Sequence, residues 1–487
     1  MTSGHTNAIP SQRRSPGAGI SFWVPIGILL VVATVLRLRD LGDGLWYDEI
    51  VTLVRYVRPP ISVIVSTFDT RNQHLLYSIL AHASLGTFGE SAWALRLPAA
   101  ILGVASIGAL AWFGRFVTTK IESIAAAAFL TFSYHHVWFS QNARGYTGIL
   151  LATLISTGLM VKITESPKPR WLLAVGYAVT MGLAALIHTS AALIVVGHAL
   201  CWLLFAFRAD RSERSALWVA PAAFAMSGLL ALALYAPVLG DMLRALGQPS
   251  NAGAKIEWTN PLWFAAETLR GLGRGLPGGW ITLAAGAAVT LTGLWSFARR
   301  RPRVAALMLV PVATTGLTLL ATQHNLWPRM FFFAAGFAVL LVMRGVFAIA
   351  ARLAPSHKEA AGAIAAGLLV AASATTVPTA WNPKQDYDGA HAFVERSRAP
   401  GDAVMVTDMT TIPYSEYRIT DWKPVKNASE LEAIEAVHPQ TWMVVSFPPR
   451  LASSFPDLWN HVQDNYKQAG RFGGTVGGGA IIVMVRK

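Results

Sequence analysis

Two adjacent carboxylates, Asp48 and Glu49, lie in the stretch LGDGLWYDEIVTLVRYV (residues 41–57), directly after the first long apolar run of the chain. A carboxylate in this position could act as a general base that takes the proton from an attacking hydroxyl group. The structural alternative is that both acids stabilise a helix start, because the first turn has free backbone N–H groups and the positive end of the helix dipole. The segments around Asp48 and Glu49 determine which of these two roles the carboxylates can have.

The same stretch has the spacing of an amphipathic helix. Four apolar residues recur at helical intervals, Ile50, Leu53, Val54 and Val57. This stripe predicts a helix that lies on the membrane surface. Asp48 then projects from the opposite, polar face together with Thr52 and Arg55, whereas Glu49 lies about a hundred degrees around the helix. The two carboxylates are therefore expected to have different roles, with Asp48 better placed for chemistry.

The composition indicates a membrane protein with many spans. The chain has 487 residues, of which 53% are hydrophobic and 14% are charged. Its apolar residues come in runs of about twenty, the length that crosses a bilayer. The formal charge of +14 would suggest a nucleic-acid partner for a soluble protein, but much of it lies in short loops between the runs, so no nucleic-acid partner is predicted. The single cysteine, Cys201, excludes an intrachain disulfide.

About eleven transmembrane helices are predicted from these apolar runs. They are expected at about residues 20–38, 96–113, 121–134, 145–161, 171–187, 189–207, 216–238, 276–298, 304–322, 330–351 and 359–378. Every second connection between them is basic, for example 162–170 and 299–303, as the positive-inside rule requires of cytoplasmic loops. The amino terminus is therefore expected in the cytoplasm, and the acidic pair at the outer face of the membrane.

The predicted spans divide the chain into three parts. Residues 1–19 form a cytoplasmic amino-terminal segment. Residues 20–379 form the membrane domain, with two large outer loops at 39–95 and 239–275. Residues 380–487 form an extracytoplasmic domain whose composition changes to that of a small α/β domain.

The elements of this last domain follow from its local patterns. The helix-like stretches are 390–398 and 455–468, and the strand-like stretches are 402–408, 442–447 and 480–487. The glycine-rich GGTVGGG (473–479) lacks the Lys-Ser/Thr of a phosphate loop and precedes a strand rather than a helix. It is therefore predicted to be a turn.

Three further residues could bind a ligand. Arg144 and Arg329 lie at predicted outer span ends, and a guanidinium fork matches the geometry of phosphate oxygens. The alternative for Arg144 is a side chain that snorkels to the membrane interface. Trp46, beside the acidic pair, could stack on a sugar ring, whereas the alternative is membership of the aromatic belt at the membrane surface.

No metal site and no cofactor are predicted. His74 and His82 are separated by about 12 Å along a helix, too far to bind one ion together. His135 and His136 are adjacent and would diverge on a helix. The outer segment 134–146 contains no carboxylate.

Four stretches in order resemble GT-C glycosyltransferases of the family 39 type, which includes protein O-mannosyltransferases and the aminoarabinose transferase of lipid A. They are LWYDE (45–49), NQHLLYSILAHASLGTFGESAWALRLPAAILGV (72–104), SQNARGY (140–146) and WPRMFFFAAG (327–336). The resemblance covers most of the first 150 residues well and the later spans loosely. It implies a polyprenyl-phosphate sugar donor, an acceptor at the outer face and inversion at the anomeric carbon.

The resemblance also implies roles for individual residues. The base is expected to be Asp48, with Glu49 beside it as the second catalytic candidate. The donor phosphate is expected to bind Arg144, Arg329 and Tyr146. The remaining substrate-binding candidates are His74, Tyr77, Gln141 and Trp46.

Two motifs depart from the pattern of this family. DTRNQHLLY (69–77) lacks the prolines of an Asp-x-His-Pro-Pro motif, although it keeps His74 and Tyr77. Asn142 replaces the acid of a Gln-Glu-Ala-Arg motif. The outer segment 134–146 thus lacks the carboxylates with which oligosaccharyltransferase-like GT-C enzymes bind a divalent cation.

The sequence therefore predicts a GT-C enzyme of the inner membrane that transfers a sugar to a cell-envelope acceptor, which could be a lipid, a polysaccharide or a protein. Two other classes stay open. A catalytically impaired relative could act as a membrane scaffold or assembly partner, because Asn142 replaces an acid. A transporter is less well supported, since the chain has no convincing internal repeat and nearly all charges lie at span ends.

Overall fold

A computed structural model of the chain describes residues 18–70, 73–210, 217–247 and 259–487. Most of the predicted cytoplasmic segment 1–19 and part of the second predicted outer loop lie outside these residues. The described protein consists of a helical part followed by a small domain built on a β-sheet.

The helical part alternates α-helices with short loops and 3-10 turns. The helices are α1 Ala18–Leu38, α2 Tyr47–Val51, α3 Ile61–Ile64, α4 Leu75–Phe88, α5 Ala92–Val117, α6 Lys120–Thr131, α7 Tyr134–Ser140, α8 Tyr146–Thr164, α9 Trp171–Ile187, α10 Ala191–Arg208, α11 Val219–Tyr235, α12 Leu239–Gly247, α13 Pro261–Gly275, α14 Gly279–Arg300, α15 Pro302–Ala321, α16 Ala335–Leu353 and α17 Lys358–Ala374.

Eight helical stretches in the described residues are long and apolar enough to cross a membrane. They are Ala92–Val117, Tyr146–Thr164, Ala191–Arg208, Val219–Ala245, Gly279–Arg300, Pro302–Ala321, Pro328–Leu353 and Pro355–Trp381. Three shorter apolar helices accompany them, Phe22–Leu38, Leu75–Phe88 and Trp171–Ile187. The chain is thus a polytopic α-helical membrane protein, as the sequence predicts.

Every predicted span coincides with a helix, although three of these helices are short. The predicted spans at 20–38 and 171–187 correspond to α1 and α9. The predicted span at 121–134 is interrupted, because α6 ends at Thr131 and the Ser133 side chain caps α7 by accepting a hydrogen bond from the backbone N–H of His136 at 3.4 Å. The apolar α4 lies within the predicted outer loop 39–95, where no span is predicted.

A buried polar network joins α1, α5, α6 and α7. The Arg37 guanidinium donates to the backbone carbonyls of Leu130 and Thr131 at 3.2 Å and to Nδ1 of His136 at 2.6 Å. Because Nδ1 accepts this bond, Nε2 of His136 carries the proton and donates to Ser106 Oγ at 2.8 Å. Arg37 thereby supplies a donor to the Thr131 carbonyl and a second donor to that of Leu130, which also accepts from the backbone N–H of Ser133 at 3.4 Å.

The second domain contains five strands in the order β2-β1-β3-β5-β4. They are β1 Ala403–Val406, β2 Lys423–Pro424, β3 Thr441–Ser446, β4 Tyr466–Phe472 and β5 Ile481–Arg486. β1 is parallel to β2 and β3, and β5 is antiparallel to β3 and β4. Helices α18 Tyr387–Ser397, α19 Ala428–Glu435, α20 Pro448–Ser454 and α21 Pro456–Asn465 surround the sheet, together with a π-helical turn, Ile412–Tyr417.

The alternation of side chains along the strands produces one core on each face of the sheet. Val404 and Val406 belong to one buried cluster, and Ala403 and Met405 belong to the other. This is the two-residue period of a strand that is buried on both faces. The strand-like stretches predicted from sequence correspond to β1, β3 and β5.

Strand β4 is not predicted by the sequence pattern. The helix-like stretch 455–468 is helical only to Asn465, and the edge strand Tyr466–Phe472 follows it. Most side chains of this strand are exposed, so it lacks the apolar pattern of a buried strand. The glycine-rich residues 473–479 connect β4 to β5, in agreement with the predicted turn.

The helix that carries the acidic pair packs into the sheet domain. α2 continues into a π-helical turn, Thr52–Val57. Ile50, Leu53 and Val57 are buried in the same cluster as Tyr414 of the sheet domain. The expectation that this apolar stripe lies on the membrane surface is therefore wrong, because the sheet domain covers it.

Candidate active site

Asp48 lies in the first turn of α2, beside arginines from two distant segments. Its Oδ2 accepts a hydrogen bond from Nη1 of Arg329 at 3.1 Å, and its backbone carbonyl accepts one from Thr52 Oγ1 at 2.7 Å. Nη1 of Arg144 donates to the same Thr52 hydroxyl at 3.3 Å. The structure thus brings the predicted base together with the two arginines predicted to bind phosphate.

Local structure at the helix ends holds both arginines in place. Arg144 lies in the turn between α7 and α8, where its backbone N–H donates to the carbonyl of Asn142 at 2.6 Å. It is only 2% exposed, so the alternative of a snorkelling arginine is wrong. Arg329 lies in the 3-10 turn Pro328–Ala334 that leads into α16, and its guanidinium carbon is 4.7 Å from the centroid of the Trp327 ring.

Three aromatic side chains pack together next to these arginines. The ring of His74 is 5.7 Å from that of Tyr146 and 5.0 Å from that of His188. Burial, followed by the charges of Arg144 and Arg329, lowers the pKa of His188 to about 4. Burial and Arg144 also hold the pKa of His74 well below its usual value. Both imidazoles are therefore neutral at pH 7, and the positive charge of the site is carried by the arginines.

Sequence reasoning does not find His188. It follows the end of α9 and accepts a hydrogen bond from the backbone N–H of Ser190 at Nδ1, 3.1 Å away. A single histidine in a turn has no spacing that distinguishes a site residue from a structural one. Its proximity to His74 depends on packing between segments that are distant in the sequence.

Glu49 is bound by groups of the protein itself. It is 0% exposed, and its two carboxylate oxygens accept hydrogen bonds from Nε and Nη2 of Arg96 at 2.8 and 2.6 Å. The backbone N–H of Ala143 donates to the same carboxylate at 2.8 Å. Burial alone would raise the pKa of Glu49, but the charges of Arg96 and Lys384 outweigh this and lower it. These contacts give Glu49 a structural role rather than the catalytic one expected from sequence.

Tyr77 and Gln141, two candidates for substrate binding, are also engaged within the protein. The hydroxyl of Tyr77 donates to the carbonyl of Leu95 at 2.7 Å. Nε2 of Gln141 donates to the carbonyl of Arg39 at 2.5 Å, just beyond the end of α1. Both side chains are buried, and their contacts connect helices instead of opening onto the site.

Trp46 is a third such candidate, and it lies just before α2. Its indole N–H donates to Oδ1 of Asn142 at 3.3 Å, and its ring centroid is 6.0 Å from that of Trp138. The ring is buried, and its hydrogen bond to Asn142 joins α2 to the turn that carries Arg144. Asn142 thus accepts a hydrogen bond from Trp46. It lies at the position where the family that the sequence resembles has an acid.

A divalent cation does not fit the residues around Asp48. No group of three His, Cys, Asp or Glu side chains within the described ranges could hold a metal ion. Arg329 pairs with Asp48, and Arg96 pairs with Glu49. Because Arg96 engages both oxygens of Glu49, this carboxylate cannot share a cation with Asp48.

Comparison with known proteins adds independent evidence on the fold. The family model described as dolichyl-phosphate-mannose-protein mannosyltransferase matches residues 73–240. The matched segment contains Arg144 and Tyr146, whereas Asp48 and Arg329 lie outside it. Comparison with curated protein sequences gives no significant match.

Two solved structures resemble nearly the whole chain. The oligosaccharyltransferase AglB from Archaeoglobus fulgidus, in complex with an inhibitory peptide and a dolichol-phosphate, has a TM-score of 0.57 and 13% identity, covering 94% of this chain and 74% of that one. ArnT from Cupriavidus metallidurans in the apo state has a TM-score of 0.54 and 11% identity, covering 97% of this chain and 98% of that one. These likenesses and the family match confirm the resemblance seen in the sequence: the chain has the fold of the GT-C glycosyltransferases.

Proposed function

We propose that the chain is an inverting glycosyltransferase that moves a sugar from a polyprenyl-phosphate donor to a cell-envelope acceptor. The observation that carries the proposal is the contact of one carboxylate, Asp48, with a site that contains Arg329 and Arg144. A general base and a cationic site for the leaving phosphate are the two groups that such a transfer requires. The likeness in fold to AglB, which was solved with a dolichol-phosphate, supports a lipid-linked donor.

In the proposed reaction Asp48 is the base. The acceptor hydroxyl gives its proton to the Asp48 carboxylate while its oxygen forms a bond to the anomeric carbon. The bond from that carbon to the phosphate oxygen breaks on the opposite face, so the configuration inverts and polyprenyl phosphate leaves with the electron pair. Arg144 and Arg329 stabilise the charge of the departing phosphate. Tyr146 and His74 line the site beside them.

Arg329 couples donor binding to the base in this scheme. Its Nη1 donates a hydrogen bond to Oδ2 of Asp48. A donor phosphate competes for the same guanidinium, and it offers a bidentate partner that suits the guanidinium fork. Donor binding therefore draws Arg329 from Asp48 and leaves the carboxylate free to accept a proton.

We place this reaction at the outer face of the inner membrane, with the amino terminus in the cytoplasm. The basic connections 162–170 and 299–303 support this orientation through the positive-inside rule. The site lies at the opposite ends of the apolar helices, next to the sheet domain. An acceptor in the cell envelope would reach it from that side.

The test of the proposed base is Asp48→Asn, which keeps the shape of the side chain and removes its basicity. Turnover should fall by about 10²–10⁴-fold, the usual effect of losing a general base, while donor binding persists. The measurement is single-turnover release of polyprenyl phosphate by protein in lipid nanodiscs at saturating donor. Arg55→Gln, on the exposed side of the same helical segment, is the control and should keep the full rate.

A scaffold that has lost activity is the second candidate function, and the replacement of an acid by Asn142 favours it. Mass spectrometry of envelope lipids and glycans from cells that lack the gene distinguishes the transferase from the scaffold. The missing product should return with the wild-type gene and stay missing with the Asp48→Asn gene. Full restoration by the variant would contradict catalysis and support the scaffold.

A further inference from the structure

We call the space beyond the adjacent carboxyl ends of β1 and β3 the crevice. The two strands are parallel neighbours, and their outgoing connections diverge, since β1 leads to β2 and β3 leads through α20 and α21 to β4. Such a switch point in an α/β sheet leaves an opening beyond the strand ends in which ligands bind. Asp408 follows β1 and Arg450 follows β3 at this edge.

Asp408 and Arg450 pair across the crevice. Nε and Nη2 of Arg450 donate to the two carboxylate oxygens of Asp408 at 2.7 and 3.2 Å. The side chains are 12% and 31% exposed, respectively, so a ligand can reach them. Nη1 of Arg450 makes no hydrogen bond within the described part of the chain, and it is available as a donor.

The backbone at both strand ends adopts a rare conformation. Asp408 has a φ of 47° and Phe447, directly after β3, has a φ of 50°. Residues other than glycine seldom occupy this left-handed region. Backbone strain of this kind is enriched at functional sites. Here it occurs on both sides of the crevice.

Tyr47 packs against the buried apolar cluster that contains Tyr414 of the sheet domain. It directly precedes Asp48, and its backbone N–H donates to Oε1 of Gln385 in the sheet domain at 3.2 Å. Its hydroxyl makes no hydrogen bond to the residues that the structure describes. Burial, with a further contribution from Asp408 that Arg450 opposes, raises the pKa of Tyr47 to about 12. The phenol is therefore protonated and can donate to a ligand.

We propose that Asp408, Arg450 and Tyr47 form the acceptor subsite, and that the acceptor is a neutral polyhydroxylated group, a sugar residue of an envelope glycan or glycolipid. The inference rests on the proposed transferase function. Asp408 can accept hydrogen bonds from sugar hydroxyls, while Nη1 of Arg450 and the Tyr47 hydroxyl can donate to them. The charges of Asp408 and Arg450 cancel, so the subsite favours a ligand without net charge.

The first experiment measures binding and does not depend on turnover. Saturation-transfer NMR on the full chain in detergent micelles compares neutral methyl hexosides with methyl glucuronide and methyl glucosaminide. The neutral glycosides should bind most tightly, and Asp408→Asn or Arg450→Gln should weaken their binding at least about tenfold. Binding of undecaprenyl phosphate should not change in either variant. Arg398→Gln, which removes a bidentate ion pair with Asp421 elsewhere in the domain, is the matched control and should bind like the wild type.

A charge-reversed double variant distinguishes an ion pair that binds the sugar from one that only stabilises the domain. Asp408→Arg with Arg450→Asp keeps an ion pair across the crevice but exchanges its donors and acceptors. Under the proposal this variant folds and fails to bind the neutral glycosides. Restored binding, tighter binding of a charged glycoside, or unchanged binding in the single variants would each overturn the subsite. Failure of the transferase function itself would show separately, as unchanged turnover in Asp48→Asn.

Discussion

Asp48 and Glu49 are neighbours in the chain that lie in opposite environments. Glu49 is enclosed by Arg96 and a backbone N–H, whereas Asp48 shares one ion pair with a partly exposed arginine. The helical period alone separates the two side chains, because adjacent residues point about 100° apart. Because Glu49 is fully buried and paired with Arg96, it has a structural role. Asp48 is the carboxylate that we propose as the base.

The environment of Glu49 predicts a stability effect with a defined pH dependence. Its folded-state pKa lies below the ordinary value of 4.5, so its stabilising contribution is present above about pH 4.5 and is lost as pH falls through the folded-state pKa. Glu49→Gln should lower stability by about 3–5 kcal/mol at neutral pH, because it breaks a buried ion pair. The loss should shrink as the pH is lowered below 4.5.

Thermal unfolding of the purified protein, followed by intrinsic fluorescence between pH 3 and 7, measures this effect. Glu416→Gln is the control, since Glu416 pairs with Arg55 at the surface and exposed pairs contribute little. Equal Tm values for wild type and Glu49→Gln at neutral pH would contradict the structural role.

Arg144 is predicted to contribute to donor affinity. Arg144→Ala should weaken binding of undecaprenyl phosphate by about 1.5–3 kcal/mol, the value of a charge-assisted hydrogen bond. Arg144→Lys should restore only part of it, because an ammonium lacks the guanidinium fork. A fluorescence titration with undecaprenyl phosphate in nanodiscs measures the affinity. Since Arg144 is buried, the lysine variant also serves as the check that folding is retained, and unchanged affinity in both variants would remove Arg144 from the phosphate site.

The sequence identifies the residue types of the site better than their partners. Asp48, Arg144 and Arg329 are recognisable because acids and arginines at span ends are chemically distinctive. Their contacts are not recognisable, because Arg329 is 281 positions from Asp48 and Arg96 is 47 positions from Glu49. A structural residue and a site residue can be of the same type, and only packing distinguishes the structural Glu49 from Asp48.

At the scale of elements, the Arg37 network shows how a charged side chain is accommodated among apolar helices. Arg37→Met should lower the Tm, because it leaves the Thr131 carbonyl and Nδ1 of His136 without their donor, at a cost of about 1–3 kcal/mol for each buried group. Adding His136→Phe should recover part of the loss, since it removes one of the unsatisfied acceptors. Thermal unfolding of both single variants and the double variant measures the coupling, and strictly additive losses would contradict the network.

Periodicity predicts helices and buried strands well and exposed elements poorly. The predicted spans coincide with helices because their apolar runs are long and uninterrupted. The edge strand β4 escapes prediction because its side chains are mostly exposed and its pairing with β5 is made by the backbone. The apolar stripe on α2 is predicted correctly, but its partner is not. The sheet domain that covers it lies more than three hundred residues later in the chain, and local spacing cannot reveal such a contact.

At the scale of the whole molecule, the glycine-rich loop 473–479 fastens the sheet domain to the helical part. Oγ1 of Thr475 accepts a hydrogen bond from the Trp138 indole at 2.8 Å, and its carbonyl accepts one from Nη1 of Arg274 at 2.6 Å. A methyl group at Gly474 would collide with the backbone carbonyl of Lys384. Glycine at position 474 thus allows two backbone segments to approach closely.

Gly474→Ala should therefore loosen the attachment of the sheet domain by about 1–3 kcal/mol, the usual cost of overpacking. Limited proteolysis of the full chain should cut the junction around residues 382–386 faster in this variant, and the Tm should fall. Gly473→Ala is the matched control, because its added methyl group meets no atom within 4 Å. Equal proteolysis of the two variants would contradict a close contact at position 474.

The π-helical turn Thr52–Val57 has a consequence for the comparison of related chains. A π-helical turn accommodates one more residue than an α-helical turn, and such turns are frequent at functional sites. A relative with a regular α-helix here would be one residue shorter and could still hold the counterparts of Asp48 and Val57 in the same places. An alignment between this chain and such a relative needs a gap inside residues 52–57. Without the gap, each residue from the turn to the next motif would be aligned one position away from its true counterpart, and Arg55 would be compared with the wrong residue.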